Sequence, residues 1–194
     1  MNAELRADGL HINGYVNVPG RQSRPVMTPK GKMIEVIEQR AFSGAIKRAE
    51  NIRLLLDHNQ SRELASTKEG TLKAQEDEIG LRAETVITDD EVIAAAKEGK
   101  LKGWSFNMKH VKDVIEERAD QLPLRHVTDF DMDEITLVLN KVPVYSATSI
   151  EVRADEEEDV EIRTLCMDTQ YTESVPEKKM DYSKYENRIR DLEK

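Results

Sequence analysis

The apolar runs in residues 1–153 are short, mostly strand-like, and do not alternate regularly with helix-forming stretches. That order argues against a parallel sheet built from strand–helix–strand repeats. It favours an α+β fold on a mainly antiparallel sheet or barrel. Residues 10–18 read as a strand containing Gly14, and Pro19-Gly20 opens a polar loop that runs to Pro29. Residues 32–37, 52–56, 71–75, 80–86, 101–111, 126–139 and 148–152 are further strand candidates. Two short helices are predicted. Residues 43–50 carry the Ser43 hydroxyl at an N-cap position and Lys47 and Arg48 near the end, the polarity a helix dipole prefers. Thr88-Asp89-Asp90-Glu91 has capping-box spacing ahead of a helix-forming run at 92–96, and Gly99 stands where a left-handed cap would stop it.

A chain of 194 residues fits one domain of ordinary size with an appendage, able to bury a core without disulfides or metals. The formal charge of −9 supplies no positive field for a phosphate backbone, so nucleic acid is not the expected partner. Cys166 is the sole cysteine, which rules out an internal disulfide and fits a reducing compartment. The first residues have no basic region followed by an apolar one, and no apolar run reaches 18 residues, so a soluble, intracellular protein without membrane contact is expected. Residues 154–194 hold 13 acidic and 7 basic side chains, and the run Asp155-Glu156-Glu157-Glu158-Asp159 repels itself. A domain boundary is therefore placed at 153/154. Beyond it lies an acidic, flexible tail whose last residues, 181–194, carry a weak amphipathic helical pattern. Such a tail serves to recruit the chain to basic assembly surfaces, to be cut away, or only to solvate it.

Phosphate-loop, dinucleotide-binding and zincin motifs are absent, and the four histidines lack metal-ligand spacing; no cofactor and no metal are expected. Three residues have the types that acyl transfer requires. Ser105 lies in Lys102-Gly103-Trp104-Ser105-Phe106-Asn107-Met108, where alternation puts Trp104, Phe106 and Met108 on one face and leaves Gly103, Ser105 and Asn107 on an open one. Gly103 removes a side chain from that open face, as the approach of a substrate backbone to the hydroxyl would require; otherwise Ser105 is only a polar residue that the strand tolerates. His58 ends an apolar run, where a strand can hold an imidazole for proton transfer or simply let it bond to backbone. Glu134 enters an apolar strand and could orient an imidazole or merely face solvent. Asp133, next to it, is expected on the opposite face.

Taken in order, these pieces resemble the prohead (capsid maturation) serine proteases of tailed phages over residues 10–153. The resemblance rests on Ile12-Asn13-Gly14-Tyr15, Glu35-Val36-Ile37 with Ala41-Phe42, and Leu54-Leu55-Leu56-Asp57-His58-Asn59. It continues through Glu78-Ile79-Gly80-Leu81, Gly99 to Phe106, Glu134-Ile135-Thr136-Leu137-Val138 and Pro143-Val144-Tyr145-Ser146-Ala147-Thr148. It departs at Leu64-Ala65, at Thr136 where serine is common, and at Pro143-Val144. The resemblance implies a serine endopeptidase with Ser105 as nucleophile, His58 as general base and Glu134 as third member, with Asp57 and Asp133 next in line for that role. Backbone amides near Ser105 or in residues 140–144 are the expected oxyanion donors. It further implies a fold like herpesvirus assemblin, a β-barrel surrounded by short helices. The substrates it implies are the major capsid protein with its scaffold segment and the protease itself, with the portal protein as a further partner. The setting would be the immature procapsid in the host cytoplasm, and the herpesvirus analogy suggests a homodimer. The competing reading is a non-catalytic capsid assembly or scaffold component with the same fold. A fused protease–scaffold is disfavoured, because some 40 residues of tail cannot hold several heptads and a linker.

Overall fold

The computed structural model describes residues 1–139, 160–166 and 169–174. The strand candidate at 148–152, the 140–144 loop, the acidic run 155–159 and the terminal helical pattern lie outside them. The described chain forms thirteen strands and two helices. These are β1 (Asn2–Arg6), β2 (Gly9–Asn17), β3 (Val26–Thr28), β4 (Gly31–Ile37), α1 (Ala41–Arg48), β5 (Arg53–Leu56), β6 (Asn59–Ser66) and β7 (Leu72–Glu76). There follow β8 (Leu81–Ile87), α2 (Asp90–Lys97), β9 (Gly103–Glu116), β10 (Leu124–Asp131), β11 (Glu134–Val138), β12 (Val160–Cys166) and β13 (Gln170–Glu173). The α+β class holds. The closed barrel does not: the strands form two sheets, one of five in the order β13-β1-β2-β8-β7 and one of eight that runs β3-β4-β10-β9-β11-β5-β6 with β12 also on β9. Each sheet ends in outer strands with no partner among the described residues, so neither ring closes. Pairing is mainly antiparallel, with parallel ladders at β1/β13, β4/β10 and β5/β11.

One core joins both sheets and both helices. Leu10 and Ile12 of β2, Leu81 and Ala83 of β8, Phe42 of α1, Val92 of α2 and Trp104, Phe106 and Met108 of β9 belong to the same buried cluster. At its centre Phe42 meets Phe106 and Phe130 edge-on, each with centroids 5.2 Å apart, the geometry aromatic quadrupoles favour. Because Phe106 follows Ser105 directly, this cluster fixes the strand that carries the serine. Phe42→Ala is expected to destabilise the fold by about 3–5 kcal/mol, read from denaturant unfolding.

Both helices start differently from expectation. α1 begins at Ala41, with Ser43 inside it, and Arg40 at the N-cap is left-handed at φ 70 without a side-chain cap. The cap comes from β7, where the Glu76 carboxylate accepts from the Arg40 and Ser43 amides at 2.9 and 2.7 Å. In α2 the cap is Asp89 rather than Thr88, its carboxylate accepting from the Glu91 and Val92 amides. Gly99, at φ 67, does take the left-handed stop.

The strand expected at 126–139 is two. Asn107 Oδ1 accepts from the Asp133 and Glu134 amides at 3.3 and 3.1 Å, which breaks the run between β10 and β11. Opposite the break, His110 is left-handed at φ 49, and the β9/β10 register shifts. β10 can then pair with β4 and β11 with β5, which sets Glu134 beside Arg53 at the start of β5. The 153/154 boundary also needs correction. Residues 160–166 and 170–173, assigned to a flexible tail, add β12 to β9 and β13 to β1. The reason is local: the alternating Val160-Glu161-Ile162-Arg163-Thr164 can pair as a strand once the five consecutive acids have ended.

Candidate active site

Three neighbouring strands bring the site together. Ser105 lies on β9 opposite Thr136 of β11, so the two side chains share a face, and Glu134, two residues before Thr136, shares it as well. β11 runs parallel to β5, with Leu137 beside Leu56. His58 stands just beyond β5, at the tip of the β5/β6 hairpin. Leu56 pairs with Asn59, which leaves Asp57 and His58 as a two-residue turn with φ 49 and 58, the backbone signature of a type I′ hairpin. Neither residue is glycine, so each left-handed conformation costs on the order of 1 kcal/mol or more. Asp57 offsets part of that cost. Its amide donates to the Leu137 carbonyl at 2.9 Å and its Oδ1 accepts from the Leu139 amide at 2.8 Å, so the turn is fastened to β11 and to the residue just past it. Asp57 is therefore a fastener of the turn and not the partner of the imidazole.

The resulting line of hydrogen bonds is continuous. Ser105 Oγ lies 2.7 Å from His58 Nε2, and His58 Nδ1 bonds to Glu134 Oε1. Nδ1 facing a carboxylate carries the proton, which leaves Nε2 as the acceptor toward the serine. Thr136 Oγ1 donates to Glu134 Oε1 at 2.9 Å, and Gln60 Nε2 donates to Oε2 at 2.7 Å. Gln60 is itself oriented by the Arg53 guanidinium. Both carboxylate oxygens are thus satisfied, as burial requires. Burial pushes the Glu134 carboxyl up, but the His58 bond and charge, with Thr136 and Gln60, outweigh it and hold the group below its ordinary range.

Ser105, His58 and Glu134, the three residues singled out in the sequence, are brought together. Asp133 is not: its Oδ1 accepts from Asn107 Nδ2 at 2.5 Å, and Lys109 pairs with its other oxygen. The sequence reading missed Gln60, which lies between the strand candidates 52–56 and 71–75 and here belongs to the strand β6. Thr136 registered only as a departure from the family, yet its hydroxyl does what a serine hydroxyl would do toward Glu134. The open face expected around Ser105 is closed. The serine is fully buried because β12 covers the edge of β9, with Thr164 opposite Ser105. Gly103, at φ 152 in the region that favours glycine, lies between Val138 and Cys166 in the paired backbones.

Among the described residues, no three His, Cys, Asp or Glu side chains converge as a metal site would require, and no helix is long and apolar enough to cross a membrane. The remaining histidines bond to surface carboxylates: His11 to Asp8, His110 to Asp131, and His126 to Glu38 and Glu116.

Several carboxylates share the behaviour of Glu134. Burial raises Asp113, Asp129 and Glu161, but cationic partners prevail and hold all three below their usual range, and the Arg48 bond lowers Asp131. A group depressed in the fold contributes stability that is complete above its unfolded pKa and is lost as pH falls through the folded one. The melting midpoint is therefore expected to hold near neutrality and to fall steeply below about pH 4. A pH series of thermal melts checks this.

A nucleophile-type hydroxyl, an imidazole and a carboxylate in one hydrogen-bonded line are the parts of a serine-hydrolase triad. The family model for the caudovirus prohead serine protease matches residues 1–162. The chain belongs to that family, which is a family of serine peptidases. No curated protein and no solved structure matches it.

Proposed function

We propose that the protein is a serine endopeptidase that cuts the scaffold segment from the major capsid protein inside the immature procapsid, and also cuts itself. Ser105 is the nucleophile, His58 the general base, and Glu134 the residue that orients the imidazole. The observation that carries the proposal is the pairing of the two imidazole nitrogens, Nε2 with Ser105 Oγ at 2.7 Å and Nδ1 with Glu134. Family membership supports the choice of substrate.

In the reaction, His58 Nε2 takes the Ser105 proton as Oγ adds to a peptide carbonyl. The imidazolium is stabilised by the Glu134 carboxylate, which stays charged. His58 then returns the proton to the leaving amine, and water hydrolyses the acyl-enzyme by the same route. Coat and portal proteins are the expected partners.

Co-expression with the major capsid protein tests the assignment. Processing is expected at a defined bond between scaffold and coat, seen as a new N-terminus by mass spectrometry, and is expected to vanish with Ser105→Ala. A coat protein that stays intact beside the active chain in assembled procapsids would refute the assignment.

A further inference from the structure

β9 has neighbours on both edges. β11 and β12 pair with the same residues of β9, and β10 and β12 both reach Lys109. Hence β10 and β11 follow one another along one edge, and β12 holds the other edge across Ser105. A strand added antiparallel to a sheet edge is how extended peptides are commonly bound. The backbone of β12 also meets the nucleophile: the Arg163 carbonyl oxygen lies 2.9 Å from Ser105 Oγ, and Thr164 Oγ1 donates to Oγ at 2.9 Å. The single proton on Oγ is drawn by both His58 Nε2 and this carbonyl.

Strand alternation sends the Glu161 and Arg163 side chains to the opposite face, where both enter a buried cluster of charges. Arg163 Nε and Nη2 donate to the two oxygens of Glu35 at 2.7 and 2.8 Å. Arg125 Nη1 and Nη2 donate to the two oxygens of Glu161 at 2.5 and 2.7 Å. Arg125 is held in place by Asp113 at 2.6 Å and Glu35 at 3.0 Å. Paired planar forks of this kind recognise geometry as well as charge. Burial of such groups is tolerable only when each charge has its partner. Glu35 on β4, Arg125 on β10 and Asp113 on β9 are supplied by the body of the fold, and the complementary acid and base are supplied by β12.

We propose that Glu35 and Arg125 form a substrate subsite, with β12 bound in it as the chain's own segment. Glu35 selects a basic side chain on the residue whose carbonyl meets Ser105, and Arg125 selects a carboxylate two residues earlier. This rests on the assignment of Ser105 as nucleophile and gives that site a substrate class, an extended peptide of acidic–any–basic sequence. In β12 the bond presented is Arg163–Thr164. Oγ adds to the Arg163 carbonyl carbon as its proton passes to His58. The carbon–nitrogen bond breaks as His58 protonates the Thr164 nitrogen, and water then cleaves the Ser105 ester to leave the Arg163 carboxylate.

The test uses the full chain and a synthetic peptide of residues 157–170. Intact-mass analysis of the chain is expected to give fragments 1–163 and 164–194, absent with Ser105→Ala. The peptide, added in excess, is expected to be cut at the same bond. Replacing its arginine by Gln, or the glutamate that matches Glu161 by Gln, is expected to lower kcat/KM by on the order of a hundredfold, since the two-pronged charged hydrogen bond to Glu35 or to Arg125 is then lost inside the buried cluster. Because the changes lie in the peptide, the fold of the enzyme is untouched. Equal rates for the three peptides would overturn the subsite. Ser105-dependent cuts confined to other sequences in the chain or coat protein would also overturn it, while leaving the protease assignment standing. Absence of any Ser105-dependent cut in chain, peptide or co-expressed coat protein would remove both.

Discussion

Ser105→Ala and His58→Ala are each expected to reduce cleavage by at least about 10⁴-fold, while the chain remains folded. Ser105 Oγ is the hydroxyl bonded to His58 Nε2, at 2.7 Å. His58 is the only base within reach of that oxygen among the described residues. The structural costs differ. Ser105→Ala removes one hydroxyl, to which Thr164 donates, a change of about 1 kcal/mol. His58→Ala leaves the buried Glu134 carboxylate with only Thr136 and Gln60, which costs about 2 kcal/mol. Thermal melts of both variants alongside the cleavage assay separate lost chemistry from lost folding.

Glu134→Gln is expected to slow cleavage by about 10²–10⁴-fold, less than either of those changes. The amide could still accept from His58 Nδ1 through its oxygen, but its NH₂ would then face Gln60 Nε2, which donates to the other oxygen in the native site. A Gln60 flip would relieve that clash only by turning its own NH₂ toward the Arg53 guanidinium, another donor. Either way the network is frustrated, and the imidazolium loses the negative charge that stabilises it. The loss should fall on kcat more than on KM, because the cation forms only as the reaction proceeds. An unchanged kcat would mean that another group stabilises the imidazolium.

What the sequence revealed and what it hid divide along physical lines. The alternation around Ser105 was legible because side chains two apart on a strand share a face, and the structure buries Trp104, Phe106 and Met108 together. The stop of α2 at Gly99 was legible because its left-handed backbone favours glycine. The polar edge strand β6 was not, since Asn59-Gln60-Ser61-Arg62 has the composition of a turn, and the strand forms where β5 offers an edge to Asn59 and to Glu63, Ala65 and Ser66. The cap of α1 was hidden because Glu76 lies more than thirty residues away. Ser105, His58 and Glu134 came from an ordered set of short motifs, and no single one of those motifs would have sufficed. Gln60 carries no local mark, because its role depends on where β11 delivers Glu134. The burial of Ser105 was equally hidden. The acidic composition of residues 154–194 masked a strand whose Glu161 and Arg163 find their partners only in the folded protein.

Ser105 and His58, joined by a 2.7 Å hydrogen bond, act as one unit in this mechanism. Residual cleavage by Ser105→Ala, His58→Ala and the double variant, followed on the same substrate, tests it most directly. Groups that act together are lost together, so the double variant is expected to be no slower than either single one. Losses that multiply, with the double variant slower by the product of the two, would mean that the two residues act independently.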